Sequence, residues 1–381
     1  MLSYGRQYID DADINAVIEV LKSDYLTQGP FVAKFEQEIC HITGAKYCVA
    51  VSNATAGLHI AVASLDLDMG AEGITSPNTF LASSNCMVYN NVKPVFADID
   101  PVSYNIDPNE IEKRVTTKTK LLIPVHFAGL PCEMSKIDEI AKKNNLYVIE
   151  DAAHAIGTQY SDGSYVGNCK YSNMTVFSFH PVKTITTGEG GAITTNDGEL
   201  YQKLLFLRSH GITKDAKLLK KNPGSWYYEM QSIGFNYRMT DMQAALGSSQ
   251  LQKLGFFKKR RREIIAMYNK GFSGVQYLKL PVEPENVCSC FHLYTVQIDF
   301  DSLGKPRNEV MQVLRDKGVG TQVLYIPVPT QPFYKEKYGY KDGDYPVAEK
   351  YYERALSLPL FPALSDEDVK LVIEAVKEVI R

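Results

Sequence analysis

The sequence has no CxxC pair, no excess of basic charge, and no apolar run approaching the roughly 18 residues of a membrane span. Its seven cysteines (Cys40, Cys48, Cys86, Cys132, Cys169, Cys288 and Cys290) are odd in number, and Cys288-Ser289-Cys290 is too tight for the usual metal pairing. They read as reduced thiols, not as a disulfide framework or a zinc site, and no metal is expected. The opening stretch, MLSYGRQYIDDADI, has no basic-then-apolar signal pattern, so a soluble, cytoplasmic protein with no membrane partner is expected. With 41 basic against 44 acidic residues, the net charge of −3 gives no electrostatic pull toward nucleic acid. The one basic run, Lys258 to Arg262, lies in a helical-looking stretch and reads as a solvated face. Internal repeats and low-complexity tracts are absent.

What is present is a chain of 381 residues, 45% hydrophobic and 22% charged, enough for about two or three domains with a sizeable core. Two amphipathic helices are expected over 10–22 and 31–43. From about 45 to 210, β-rich runs alternate with helical segments, with strands at 46–51, 72–77, 92–99, 120–126, 145–151, 174–177 and 192–195. That alternation predicts a sheet with helices on both faces. After one long helix over about 241–270, strands at 293–300 and 322–326 and helices at 308–317 and 366–380 predict a compact α+β unit. The division is placed after residue 250, with a large domain over 1–250 and a small one over 251–381.

The stretch FSFHPVKTITTGEGG, 177–191, leaves a buried strand, presents one lysine among small and hydroxyl residues, and exits through glycines into another strand. Burial there would depress the pKa of Lys183 and make its neutral amine accessible for imine chemistry. Upstream, NLYVIEDAAH ends a strand on Asp151, followed by two alanines that leave room for a flat ligand. Pyridoxal phosphate needs such a pair: an amine for the imine, and a carboxylate that keeps the pyridine nitrogen protonated. Both residues fall just past strand ends, where open α/β sheets bind ligands. The turn Ser52-Asn53-Ala54-Thr55-Ala56-Gly57 opens an apolar helix. It suits either a phosphate seat or an ordinary helix cap. His126, at another strand end, reads as a packed polar residue.

The segments EDAAHAIG (150–157) and SFHPVKTITTGEGG (178–191) resemble the two signatures of the DegT/DnrJ/StrS sugar aminotransferases, and the resemblance extends along essentially the whole chain. It implies the aspartate-aminotransferase-like, fold-type-I architecture: a large domain with a mostly parallel sheet, and a smaller α+β C-terminal domain. It also implies that Lys183 carries the cofactor and that Asp151 faces its ring nitrogen. Thr55, Ala56 and Ser178 would hold the phosphate, Phe80 would stack on the ring, and His154 would lie beside the ring oxygen. Asn236, in GFNYRM, would reach the cofactor phosphate of a second subunit, making a homodimer with shared active sites. Tyr4, Leu26, Thr27, Gln28 and Tyr325 would lie on the sugar side. Two positions depart from the family pattern: Ala54 replaces a glycine, and Leu324 replaces the histidine of an HYxP segment. The implied substrates are a nucleotide-linked keto-sugar and an amino-acid donor, expected to be glutamate. The form SFHPVKTITT is similar to the branch that aminates C4 of a UDP-linked 4-keto-6-deoxy-N-acetylhexosamine for pseudaminic acid synthesis. Lys183 argues against the related dehydratases, which carry histidine there.

Overall fold

Short β-branched and apolar runs, each stopped by polar or glycine-bearing turns, become the strands of one sheet. In the computed structural model, which describes residues 1–380, these are β1 (Tyr47–Val51), β2 (Glu72–Thr75), β3 (Lys93–Phe96), β4 (Thr119–Ile123), β5 (Tyr147–Asp151), β6 (Met174–Ser178) and β7 (Gly191–Thr195). Their spatial order is β1-β7-β6-β5-β4-β2-β3. Only β7 runs against its neighbours; the other pairings are parallel. Both faces are covered. Cys48, Ala50, Val148 and Phe177 join a core on one side, while Val49, Val51, Ile149 and Val176 join a core on the other. This is the period-two alternation of a strand, with apolar residues in both phases because neither face meets water.

A hairpin of β8 (Ile212–Thr213) and β9 (Glu229–Met230) follows, and then a small antiparallel sheet of β10 (Leu278–Lys279), β11 (Tyr294–Ile298) and β12 (Ala355–Leu358). With Ile264, Tyr268, Val372 and Val376 this sheet forms a second apolar core. The expected strand over 322–326 is corrected: Gln322 makes one isolated bridge to Ser357, and the third strand is β12, which no turn signal announces.

The expected single helix over 241–270 is two, Asp241–Gln252 and Leu254–Gly271, because the Lys253 amide turns back to the carbonyl of Gln250. The Lys253 ammonium is held by Asp10 and Asp13, which tie the first helix (Asp11–Leu21) to this joint. The basic run is also corrected. Five consecutive residues sweep more than a full helical turn, so one must face inward. That residue is Arg261, which is 1% exposed and donates from Nη1 to the carbonyls of Phe291, His292 and Leu360. The same helix contributes Leu254 and Phe257 to the large core and Ile264, Ile265 and Tyr268 to the small one.

Glu150 and Asp151 are neighbours on β5 and therefore point to opposite faces of the sheet. Glu150 is wholly buried and accepts from His126 Nε2 at 2.7 Å, Ser172 Oγ at 2.5 Å, Thr175 Oγ1 at 3.1 Å and the Tyr160 hydroxyl. Burial pushes its pKa up, but hydrogen bonds led by that from His126 outweigh burial and hold it below the usual value. We predict that Glu150→Leu, which orphans these donors, destabilises the fold by about 3–5 kcal/mol in urea unfolding. A folded pKa below the ordinary 4.5 means that this stabilisation is present above pH 4.5 and is lost as pH falls through the folded value. Stability should therefore decline more steeply in acid for wild type than for the variant; parallel profiles would exclude Glu150 as the source.

Candidate active site

The lysine loop is closed by its own backbone. After Ser178 ends β6, Phe179 N donates to Gly190 O at 2.9 Å and Thr187 N to Phe179 O at 2.9 Å, while Lys183 N donates to His180 O at 2.8 Å. Gly188 takes φ +78°, a conformation side chains disfavour. At Gly191 a Cβ would sit 2.8 Å from Ala54 N and 2.9 Å from Phe177 O. Only glycine lets the helix Ala54–Ala63 begin against the exit of the lysine loop. That contact brings Thr55 and Lys183 to one cavity.

The cavity has a volume of about 610 Å³. Lys183, Asp151, His154, Ser178, Phe80 and Thr55 line it together with Tyr4 and Tyr325. Tyr4 arrives because the N-terminal arm is pinned to the small sheet's side of the molecule: Leu2 N bonds Gly318 O, Gly320 N bonds Leu2 O, and Leu360 N bonds Tyr4 O. Sequence reasoning gave no role to Asn53, Thr79, His180 or Glu189, which also line the cavity. His180 and Glu189 stand inside the segment 178–191, Asn53 inside the turn 52–57 and Thr79 beside Phe80, so proximity was the available signal.

Five expected residues do not line the cavity of their own chain. Ala56 is buried, and its amide donates to Asn53 Oδ1 at 2.8 Å, as in an ordinary helix cap. Leu26, Thr27 and Gln28 are exposed on a loop fastened to Asp241, whose carboxylate takes the amides of Gly29 and Phe31. Asn236 is exposed and bridges to Ser209.

Burial pulls the Lys183 ammonium from 10.5 to about 8, against an opposing pull from Asp151. About a tenth of an amine titrating at 8 is neutral at pH 7, against about one part in three thousand at 10.5. Asp151 accepts from Ser83 Oγ at 2.6 Å and from Ala153 N at 3.1 Å. His154 is held neutral, first by burial and then by the charge of Lys183. Its Nδ1 accepts from Ala128 N at 3.3 Å, so Nε2 carries the proton and donates to the Tyr325 hydroxyl at 3.1 Å. The Tyr325 proton is then available to the cavity. His292 packs its ring 4.4 Å from that of His154 and is likewise kept neutral by burial, then by His154 and Lys183. Its buried Nδ1 has no partner among the described residues.

These residues fit pyridoxal phosphate. The amides of Ala54 and Thr55, at the start of a ten-residue helix, have no acceptor among the described residues and suit a phosphate. Phe80 is 57% exposed and lines the cavity, a free face for a flat ring, and Ala153 lines it with a side chain small enough to leave room. We predict that, in protein stripped of cofactor, modification of Lys183 by a dilute amine reagent titrates with a midpoint near pH 8 when followed by peptide mapping. A midpoint near 10.5, the ordinary value, would show that the amine is not desolvated.

The pattern of the DegT/DnrJ/EryC1/StrS aminotransferase family matches residues 7–377. The spore coat polysaccharide biosynthesis protein SpsC of Bacillus subtilis is 42% identical over 381 residues, covering 100% of this chain and 97% of its own. Helicobacter pylori PseC, an aminotransferase involved in the biosynthesis of pseudoaminic acid, superposes with a TM-score of 0.92 at 32% identity, covering 100% of this chain and 99% of its own. Spr1654 of Streptococcus pneumoniae, solved in its PMP form, superposes with a TM-score of 0.93 at 31% identity, with the same coverage. The match of sequence from end to end, on a sheet of this order with its lysine and carboxylate at one cavity, places the chain in the DegT/DnrJ/EryC1/StrS family, as a pyridoxal-phosphate-dependent sugar aminotransferase of fold type I.

Proposed function

We propose that the enzyme moves an amino group from glutamate to C4 of a UDP-linked 4-keto-6-deoxy-N-acetylhexosamine, on the route to pseudaminic acid. The observation that carries this reading is the likeness to PseC along the whole chain. It is supported by a single cavity in which Lys183 and Asp151 are accompanied by the hydroxyls of Tyr4 and Tyr325, groups that can hold a sugar.

When bound, the cofactor supplies an aldehyde for an amine to condense with and a ring that takes up an electron pair. The protein's part follows from its own groups. Lys183 would anchor the cofactor through Nζ, and its amine, lowered to about 8 by burial, would serve as the base nearest the donor's α-carbon. Asp151 would hold the ring nitrogen in its protonated form, Thr55 and Ser178 would hold the phosphate, and Phe80 would cover the ring. Tyr325, with His154 behind it, donates its hydroxyl proton into the cavity. Which sugar carbon reacts depends on placement, since a shift of about 1 Å can cost roughly a hundredfold in rate. Seven free cysteines favour a reducing compartment, and we place the enzyme in the cytoplasm.

A second reading keeps the chemistry and changes the sugar. The likeness to SpsC favours a different nucleotide-linked keto-sugar, 3- or 4-keto, destined for a polysaccharide. Competition between the UDP-linked 4-keto sugar and a dTDP-linked 3-keto sugar, with glutamate as donor, distinguishes the two. Preference for the UDP-linked substrate by kcat/KM is expected, and the reverse preference would overturn the pathway. Lys183→Ala should abolish turnover with either sugar.

Two subunits complete each site in this proposal. Asn236 and the 26–28 loop are exposed and lie outside their own chain's cavity, as residues serving a partner would. Mixing Lys183→Ala with Asn236→Ala protein should raise activity above either parent, because one site of a mixed dimer carries both lesions and the other neither. No rise after verified subunit exchange would rule out sharing.

A further inference from the structure

Ser83 stands on the first turn of the helix Ala82–Tyr89, is fully buried, and does not line the cavity. Its one hydroxyl proton has three acceptors to choose from: Asp151 Oδ2 at 2.6 Å, Phe80 O at 3.3 Å and the hydroxyl of Thr79. The shortest contact runs to the carboxylate, and a hydrogen bond to a charged oxygen is also the strongest of the three. Thr79 Oγ1 lies 2.7 Å from Ser83 Oγ. With the Ser83 proton committed to Asp151, Thr79 must be the donor in that contact. The result is a directed relay from Thr79 to Ser83 to Asp151, through residues that are 2%, 0% and 5% exposed. The Ala153 amide holds the other carboxylate oxygen at 3.1 Å. Each oxygen of Asp151 is thus fixed by a different donor, and rotation of the carboxylate about its last bond is blocked.

We propose that Ser83, backed by Thr79, is a positioning residue that sets the rotation of the Asp151 carboxylate so that its remaining lone pairs meet the ring nitrogen of pyridoxal phosphate. The inference rests on the assignment of Asp151 to that nitrogen. A purely local role for Ser83 does not account for the geometry, because donation to Phe80 O would serve the helix turn and is the longer contact. Phe80 lies just before this helix and its carbonyl accepts from the Ser83 amide at 3.3 Å, so the aromatic ring and the donor to the acid are carried on one turn of backbone.

The experiment compares dissociation constants for pyridoxal phosphate and for an analogue with C–H in place of the ring nitrogen, in wild type, Ser83→Ala, Thr79→Val and Asp151→Asn. Thr79→Val keeps the side-chain shape and serves if Ser83→Ala fails to fold. Wild type should prefer pyridoxal phosphate, and Asp151→Asn should lose that preference. Ser83→Ala should reduce it by roughly three- to tenfold, the scale of one immobilised side chain, and Thr79→Val by less. A role in folding alone would weaken both ligands equally, leave the preference intact and overturn the relay. Preference kept in Ser83→Ala and Thr79→Val but lost in Asp151→Asn would likewise overturn the relay, while sparing the Asp151 assignment. Preference kept in all three variants would overturn that assignment itself.

Discussion

An amine and a carboxylate share one cavity, and the balance between desolvation and their mutual attraction governs what surrounds them. Burial alone would make Lys183 a weak base, and a strong ion pair alone would keep it charged. Together they leave its pKa about 8, where both protonation states are accessible near neutrality. Parallel strands make the pairing possible. β5 and β6 lie side by side with Asp151 opposite Val176, so the acid at the end of one strand meets the loop that leaves the other. A further cation here would upset the balance, and His154 and His292, both within reach of the lysine's charge, are kept neutral chiefly by burial.

Holding a charge in a desolvated place requires donors placed beforehand, and the two faces of β5 meet that requirement differently. Glu150 collects donors from His126, Tyr160, Ser172 and Thr175 and has no opening to the cavity, so it acts as an anchor for the strand. Asp151 collects two, from Ser83 and Ala153, and keeps acceptor capacity for a ligand. Adjacent carboxylates on one strand thus serve stability and chemistry separately, because alternation sends them to opposite faces.

The cavity also joins the products of two cores. The lysine loop, Asp151 and the helix that begins at Ala54 belong to the large sheet. Tyr4 is held by backbone bonds from a chain segment tied to Gly318, Gly320 and Leu360 on the side of the small core. Arg261, buried where the helix Leu254–Gly271 passes from one core to the other, satisfies three carbonyls on two separate segments. The cavity is thus lined by groups from more than one packing unit.

Local chemistry was legible in the residues themselves. The lysine between strand and glycine turn, the acid ending a strand before two alanines, and the small-residue helix start all depend on neighbours within a few positions. So does the sheet, because apolar periodicity is a property of the strand. What lay beyond reach depends on contacts between distant residues. Ser83 meets Asp151 across 68 positions, and Tyr4 reaches the cavity because its backbone pairs with Leu360. Arg261 looked solvated in a run of five basic residues, yet it is buried because a helix turns one member of such a run inward. β12 follows from pairing with remote residues, its Ser357 meeting Thr295 and Gln322, and the joint at Lys253 is tied to the distant Asp10 and Asp13. Sequence alone therefore determined which groups could do the chemistry. Tertiary structure decided which other groups hold them, since an orienting hydrogen bond depends on distance in space and leaves no periodic trace along the chain.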